Sequence, residues 1–159
     1  MEGIEIAKEL TKGLLERMGV RAEVEALWKE GNLYLEINGD QEGILIGKHG
    51  RTLEALQMLV NRMVNKRMKN AMRVVLDVDD YRKRRAESMV QIALRLGDEA
   101  KRTGHSQVAG LLNACDRRII HLTLKEDPFL ETESIGEGEL KRVKIIPLKN
   151  RDNPLKQFE

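Results

Sequence analysis

The chain has 159 residues, which fits one ordinary domain or two small ones. Its composition, 41% hydrophobic and 34% charged, excludes a disordered chain, and no stretch reaches the roughly 20 apolar residues of a membrane span. Its single cysteine cannot form an internal disulfide, and three histidines beside it supply no zinc-type cluster, so neither a metal nor another cofactor is expected. The net charge of +2 averages unlike parts, because residues 1–42 carry 5 basic and 10 acidic side chains, residues 43–85 carry 11 and 4, and residues 86–159 carry 12 of each.

The first half of the chain predicts a small α+β unit. MEGIEIAKEL at the N-terminus contains neither the basic nor the apolar region of a secretory signal, so the cytoplasm is the expected compartment. Apolar residues at helical spacing predict a helix over 3–18, and two alternating runs on either side of Glu30-Gly31-Asn32 predict an antiparallel pair of strands. Gly43-Ile44-Leu45-Ile46 then predicts a short helix, Gly47-Lys48-His49-Gly50 a loop, and the residues up to 79 a long helix followed by a strand.

The second half predicts another α+β unit, with two helices and three strands. In chain order these are a long helix from Asp79 or Asp80 to Thr103-Gly104, a strand near 106–109, a helix over about 114–125, and strands near 130–135 and 141–147. Asn113 is the predicted N-cap of the shorter helix. Residues 148–159 are polar and predict a frayed tail.

The loop Gly47-Lys48-His49-Gly50 is the first candidate binding site. A loop with glycines at both ends that enters a helix brings bare backbone N–H groups and the helix N-terminus close to a phosphate. Lys48 adds positive charge, His49 adds a hydrogen-bond donor, and the following helix adds Arg51, Arg62 and Lys66. The alternative is a tight turn followed by a solvated charged helix, and the loop and the charge alone leave both interpretations open.

The segment around this loop, EGILIGKHGRTLEALQMLVNRMVNK, resembles the core of a KH domain, in particular the KH domain of bacterial Jag proteins. The order of elements is similar to the type II arrangement, αββααβ. KH domains clamp about four nucleotides of a single strand against their GxxG loop. The resemblance implies that the loop and the basic residues after it hold the nucleic-acid backbone and that three apolar residues, Ile44, Ile46 and Leu53, support a groove under the bases.

Arg117 and His121 form the second candidate binding site, within Asp116-Arg117-Arg118-Ile119-Ile120-His121-Leu122. Residues four apart on a helix are neighbours on one face, where a guanidinium and an imidazole can grip one phosphate. Arg142 and Lys144, which alternate on the last predicted strand, are expected to extend this basic patch. An arginine and a histidine that pack on the sheet for structural reasons alone remain the open alternative.

The surroundings of Arg117 and His121 resemble the domain that follows KH in Jag proteins and takes its name from an Arg-x-x-x-His motif. The resemblance rests on the order αβαββ and on HLTLKEDPFLETESIGEGELKRVKIIP after the motif. Domains of that family are associated with single-stranded nucleic acid, so the resemblance implies that Arg117 and His121 contact it. The expected fold is α+β with two small domains, KH at 1–79 and the Arg-x-x-x-His motif domain at 80–147, followed by a tail at 148–159.

The resemblance as a whole implies an RNA-binding protein that is not an enzyme. Its implied ligand is single-stranded RNA, with single-stranded DNA as a further ligand, and its implied partner is a second small KH protein or another copy of the chain. It also implies a post-transcriptional regulator linked to bacterial cell elongation and division. No residue indicates direct membrane binding.

Two features depart from the Jag pattern. Jag proteins commonly carry an extra N-terminal domain before the KH unit, which this sequence is expected to lack, so functions tied to that domain are not expected to transfer. Cys115 and Asp116 occupy the positions where the family has an aromatic residue and a glutamate. These departures leave Arg117 and His121 in place, and the resemblance does not determine how their helix packs.

Two other functions compete with RNA binding. His49, His105 or His121 could act as the general acid or base of a phosphate-ester hydrolase, but no motif supplies the paired carboxylate, metal cluster or activated nucleophile that such an enzyme needs. The chain could instead be a protein-interaction module in which the KH unit dimerises and RNA contact is incidental. The sequence leaves this second alternative open.

Overall fold

Two successive α+β units make up the chain. A computed structural model describes residues 2–39, 43–68 and 72–148, and the chain divides into the compact units Met1–Lys83 and Arg84–Glu159. The predicted α+β class is confirmed. Except for Leu148, the predicted C-terminal tail lies outside the described residues.

The first unit contains two helices and three strands within its described residues. In chain order they are α1 (Glu2–Arg17), β1 (Glu23–Lys29), β2 (Asn32–Asn38), α2 (Arg51–Met68) and β3 (Val74–Val78). Strand β2 is central, because it pairs antiparallel with β1 and parallel with β3. Alternation along β2 sends Leu33, Leu35 and Ile37 into the core, where they pack with the apolar sides of α1 and α2.

The short helix predicted before the glycine loop is a single turn. The Gly47 N–H donates to the Gly43 carbonyl at 3.2 Å, which closes one helical turn. The turn does not continue, because Gly43 and Gly47 have φ angles of 67° and 68°, outside the right-handed helical region. A 3-10 turn over Lys48–Gly50 follows and leads directly into α2. The predicted αββααβ order therefore holds, with its first middle helix reduced to one turn.

The second unit combines two helices with a three-stranded antiparallel sheet. Its elements are α3 (Tyr81–Thr103), whose first three residues belong to the first unit, β4 (Gln107–Leu112), α4 (Ala114–Leu124), β5 (Leu130–Ile135) and β6 (Lys141–Pro147). Strand β6 lies between β4 and β5. Ile120 of α4, Val143 and Ile145 of β6, and Met89 and Ala93 of α3 belong to one buried core. The predicted αβαββ order is confirmed.

Asn113 and Asp116 fix the start of α4. The predicted N-cap Asn113 accepts a hydrogen bond from the Asp116 N–H at 2.8 Å, which confirms the cap. Asp116 is only 2% exposed, and its carboxylate accepts hydrogen bonds from Nε and Nη2 of Arg85 at 3.1 and 2.7 Å. The residue that departs from the Jag pattern is therefore held by an ion pair inside the second unit.

The three histidines belong to different elements, His49 to the glycine loop, His105 to the connection after α3 and His121 to α4. Within residues 2–39, 43–68 and 72–148, no three His, Cys, Asp or Glu side chains come together as a metal-binding group. No helix in those ranges combines the length and the apolar character that crossing a bilayer requires.

Candidate nucleic-acid interface

Two glycines shape the loop that precedes α2. Gly47 has a φ of 68°, and a Cβ at this position would lie 2.8 Å from the Cβ of Thr52. Gly50 has a φ of 79°, and a Cβ there would lie 3.1 Å from Cε1 of Tyr81. Both positions therefore require glycine, and the backbone between them is held against the start of α2.

Lys48 and His49 form the tip of the loop. Lys48 is exposed, whereas His49 is half-buried with a φ of 57°, a left-handed conformation that histidine adopts more readily than most residues. Arg51, the first residue of α2, is also exposed. The structure therefore brings these three predicted site residues together in one short segment.

Three backbone N–H groups at the end of the loop and the start of α2 bond within the protein. The N–H groups of Thr52 and Leu53 both donate to the Ile46 carbonyl, at 3.1 and 3.3 Å, and the Gly50 N–H donates to the Gly47 carbonyl at 3.4 Å. The tight turn places the carbonyls of Ile46 and Gly47 where they accept hydrogen bonds from these N–H groups. An anion bound here would therefore draw on the charged side chains and not on these three N–H groups.

The three apolar residues predicted to support a groove have different positions. Ile44 is 47% exposed, whereas Ile46 is partly buried against the core of the first unit. Leu53 is 1% exposed and belongs to that core. Leu53 therefore supports the site from beneath and offers no surface to a base, so only Ile44 and part of Ile46 are available for direct contact.

The exposed side of α2 carries a row of basic and apolar residues that we call the α2 ridge: Arg51, Ala55, Met58, Arg62 and Lys66. Their spacing of three or four residues places them on one side of the helix, opposite its buried residues, Leu53, Leu56, Val60 and Val64. Arg62 and Lys66 are exposed, as predicted. The sequence prediction omits Met58, although its position seven residues after Arg51 places it on the same side.

Asn61 and Asn65 lie on the side of α2 that contacts β3 and the residues before it. Asn61 donates from Nδ2 to the Val74 carbonyl at 2.6 Å and accepts at Oδ1 from the Val74 N–H at 2.8 Å. Asn65 forms the same pair of bonds with Met72, at 2.8 and 2.6 Å. Each side-chain amide thus satisfies both backbone groups of one residue.

Gln57 continues this arrangement one turn earlier in α2. Its Oε1 accepts hydrogen bonds from the Leu76 N–H at 3.1 Å and from Nη2 of Arg82 at 3.0 Å, while Nε and Nη2 of Arg82 both donate to the Leu76 carbonyl at 3.2 Å. We call Gln57, Asn61 and Asn65 the amide ladder. The amide ladder and Arg82 bind the backbone groups on the outer side of β3. The four-residue spacing of the three amides in the sequence places them on one side of α2 and could have indicated the ladder.

The sheet of the first unit carries an acidic row. The β-pairing places Glu25, Glu36 and Asp77 side by side across the three strands. Burial, the largest cause, raises the pKa of Glu36; a hydrogen bond from the Asp80 N–H at 2.9 Å lowers it, and repulsion from the carboxylates of Asp77, Asp80 and Asp79 raises it further. This row disfavours contact with phosphate.

Arg117 binds two backbone carbonyls of the second unit. Its Nη1 donates to the Leu112 carbonyl at 3.0 Å, at the end of β4, and to the Glu139 carbonyl at 3.2 Å, between β5 and β6. The half-buried guanidinium therefore links the start of α4 to two loops. This structural role for Arg117 was left open by the sequence.

His121 lies one turn after Arg117 in α4 and contacts β5. Its Nδ1 is 2.7 Å from Oγ1 of Thr132, and its Nε2 is 2.9 Å from Oγ of Ser134. Because a hydroxyl can donate or accept, both contacts suit either neutral tautomer and the protonated ring. The sequence prediction omits Thr132 and Ser134, whose spacing of two residues places them on one face of β5.

Arg142 and Lys144 point to the other face of the second sheet. Val143 and Ile145, which alternate with them along β6, are fully buried in the core beneath α4. The pairing places Lys144 beside Glu133 on the outer face. The structure therefore does not join Arg142 and Lys144 to Arg117 and His121 in the single patch that the sequence predicted.

Both units match known domain families. Residues 4–78 match the family described as KhpA/KhpB, KH domain, and residues 87–147 match the family of the Arg-x-x-x-His motif domain. The KH unit and the Arg-x-x-x-His unit expected from the sequence are thereby confirmed.

Three curated proteins are similar to most of this chain. The chain is 41% identical over 136 residues to RNA-binding protein KhpB of Clostridium symbiosum, a match that covers 86% of this chain and 60% of that protein. It is 34% identical over 134 residues to KhpB of Lactiplantibacillus plantarum, covering 83% and 41%, and 29% identical over 147 residues to KhpB of Bacillus subtilis, covering 91% and 71%. The chain thus spans less than two thirds of the length of the first two relatives.

Proposed function

Because this chain belongs to the KhpB (Jag) family of proteins with a KH domain and an Arg-x-x-x-His motif domain, we propose that it binds single-stranded RNA. The observation that carries the proposal is the row of exposed positive charge from the loop along α2, formed by Lys48, Arg51, Arg62 and Lys66. Such a row can neutralise successive phosphates of a single strand and release their counterions. The relatives are named RNA-binding proteins, which supports RNA as the ligand.

The KH loop supplies the first contact of the proposed complex. Gly47 and Gly50 keep the loop close to α2, and the exposed Lys48 meets a phosphate together with His49. Ile44 offers an apolar surface beside them. The acidic row on the sheet repels phosphate, which favours a path for the RNA along the loop and α2.

The Arg-x-x-x-His unit is proposed to add a second contact through Arg117. Both of its backbone bonds come from Nη1, so within the described part of the chain the Nε and Nη2 donors remain for a phosphate. His121 is proposed to act mainly by holding β5 against α4 through Thr132 and Ser134. Arg142 and Lys144, on the outer face of the second sheet, are proposed as a separate basic pair that contacts RNA.

The wider role is proposed from the resemblance. The protein acts in the cytoplasm as a post-transcriptional regulator linked to bacterial cell elongation and division, and it pairs with a second small KH protein or another copy of itself. The two matched domains and the names of the relatives point to a binding protein and not to an enzyme.

A protein-interaction role is the second candidate function. It is favoured by Leu27 and Trp28, which are exposed on the edge strand β1. If interaction were the main role, replacing Leu27 and Trp28 by Ser would abolish association with the partner in analytical ultracentrifugation. The same replacement would abolish the protein's effect on cell elongation. Loss of RNA binding at the loop would then leave both unchanged.

Fluorescence anisotropy with three labelled ligands tests the proposed function. The ligands are a single-stranded RNA of about ten nucleotides, the DNA of the same sequence, and an RNA duplex of the same length. Single-stranded RNA should bind at least about tenfold more tightly than the duplex, because unpaired bases and a flexible backbone fit a KH loop. Equal affinity for the duplex would contradict the proposal, and the DNA measures how far the site depends on the 2′-hydroxyl.

A further inference from the structure

A surface depression of about 550 Å³ lies along the second half of α2, lined by Met58, Asn61, Arg62, Asn65 and Lys66. Met58 is 68% exposed, more than any other large apolar side chain in the described part of the chain. A methionine thioether is flexible and polarizable, which suits contact with the flat face of an aromatic ligand. On the same ridge, Arg51 lies two turns before Met58, and Arg62 and Lys66 lie one and two turns after it.

The two side-chain amides beside Met58, those of Asn61 and Asn65, bind backbone groups of the protein. Asn61 donates from Nδ2 to the carbonyls of Gln57 and Val74, at 2.9 and 2.6 Å, which uses both of its N–H donors. Asn65 binds both backbone groups of Met72. A base that enters the depression therefore contacts Met58 with its face, because both N–H donors of Asn61 and one of the two N–H donors of Asn65 are engaged elsewhere.

From these observations we infer that Met58 is a stacking surface for one unpaired base of a bound RNA, with the flanking phosphates held by Arg51 on one side and by Arg62 and Lys66 on the other. The inference rests on the proposed RNA binding. Met58 lies roughly 10 Å along α2 from Arg51, at about 1.5 Å per residue, so a strand held at the loop can reach it. Every base has a π face, so such stacking tolerates any base and adds affinity without sequence preference.

Two substitutions of Met58 in the full chain test the inference. Binding of labelled oligo-U and oligo-C RNA of about eight nucleotides is measured by anisotropy for wild type, Met58→Ala and Met58→Tyr. Met58→Ala should weaken binding about threefold to tenfold, and Met58→Tyr should tighten it, because an aromatic ring stacks better than a thioether. The changes should agree within about twofold between the two RNAs, since the face and not the edge of the base is bound.

Leu27→Ala is the matched control, because Leu27 is a large apolar residue of the same unit that is similarly exposed but lies on β1. Leu27→Ala should leave RNA affinity unchanged. All three variants should have the same melting temperature as wild type. A strand of the same length without bases should bind wild type and Met58→Ala equally, since only phosphate contacts remain.

The outcomes separate this inference from the proposed function. If wild type binds RNA but neither Met58 variant changes the affinity, or if the loss is as large on the strand without bases, the stacking surface is wrong and RNA binding stands. A Met58→Ala effect confined to one of the two RNAs also overturns the inference, because it indicates edge recognition. If wild type binds no single-stranded RNA, the proposed function itself fails.

Discussion

Asn61 and Val74 are joined by a closed pair of hydrogen bonds, in which the side-chain amide of Asn61 takes the place that a neighbouring strand would have beside β3. β3 is an edge strand, and unpaired edge groups invite association with another chain. Together with Gln57 and Asn65, Asn61 covers this edge without adding a strand. The ladder therefore fixes α2, and with it the proposed RNA-binding ridge, to the sheet.

Asn61→Ala should destabilise the first unit by about 1–3 kcal/mol, because both backbone groups of Val74 lose their partner. The free energy of unfolding is measured by urea denaturation. Arg62→Ala, an exposed neighbour on the same helix, is the control and should change stability by no more than about 0.5 kcal/mol. Equal effects of the two substitutions would show that the hydrogen bonds of Asn61 contribute nothing to the stability of the first unit.

Asp116→Ala should destabilise the second unit by about 2–4 kcal/mol, because it removes the buried carboxylate that pairs with the Arg85 guanidinium. Asp98 forms an exposed pair with Lys101 at 3.4 Å, so Asp98→Ala should cost less than about 0.5 kcal/mol. Urea denaturation compares the two variants. A small loss for Asp116→Ala would mean that the cap of Asn113 alone holds the start of α4.

Glu36→Gln should stabilise the protein at neutral pH. Burial and the neighbouring carboxylates raise the pKa of Glu36, so the stability that the protonated group contributes is present below its ordinary pKa and is lost as the pH rises through the raised value. The glutamine variant avoids this loss, and its advantage over wild type should shrink as the pH falls from about 7 to about 4. Unfolding free energies measured across this range check the sign, and an advantage that does not change with pH would refute it.

The two units are proposed to unfold separately, because each has its own buried core. Differential scanning calorimetry should then resolve two transitions. Asn61→Ala should lower only the transition of the first unit, and Asp116→Ala only that of the second. A single transition that both substitutions lower equally would mean that the units unfold as one.

The elements and their order could be predicted from sequence because local patterns determine them. The alternation of Leu33, Leu35 and Ile37 predicts a strand with one buried face, and Asn113 before an apolar helix predicts its cap. The short helix before the loop was overestimated, since the left-handed conformations of Gly43 and Gly47 end it after one turn. A glycine in the sequence permits a left-handed conformation but does not show that the conformation is adopted.

The site could be predicted only in part, because its contacts join residues that are distant in sequence. The sequence identifies Lys48, Arg62 and Arg117 as basic residues, but not the bonds of Arg117 to Leu112 and Glu139. The register of β6, which places Arg142 on the outer face, depends on how the core packs. Charge and spacing thus identify candidates, and tertiary structure decides which of them share a surface.

The central claim is that the KH loop contacts RNA, and one double substitution tests it most directly. Lys48→Asp combined with His49→Asp puts negative charge where phosphate must approach, and aspartate tolerates the left-handed conformation of residue 49. The matched control, Lys48→Gln with His49→Asn, removes the positive charge without adding a negative one. Circular dichroism should show all three proteins folded with similar melting temperatures.

The decisive measurement is the affinity for single-stranded RNA as a function of salt concentration. If two or three phosphates are neutralised by the loop and the α2 ridge, the wild-type slope of log affinity against log salt should be roughly −1.4 to −2.1, from about −0.7 per phosphate. The double aspartate variant should bind far more weakly and with a shallower slope, and the neutral control should fall between the two. A folded double aspartate variant with wild-type affinity and slope would contradict the account, because the loop would then be a turn that does not contact RNA.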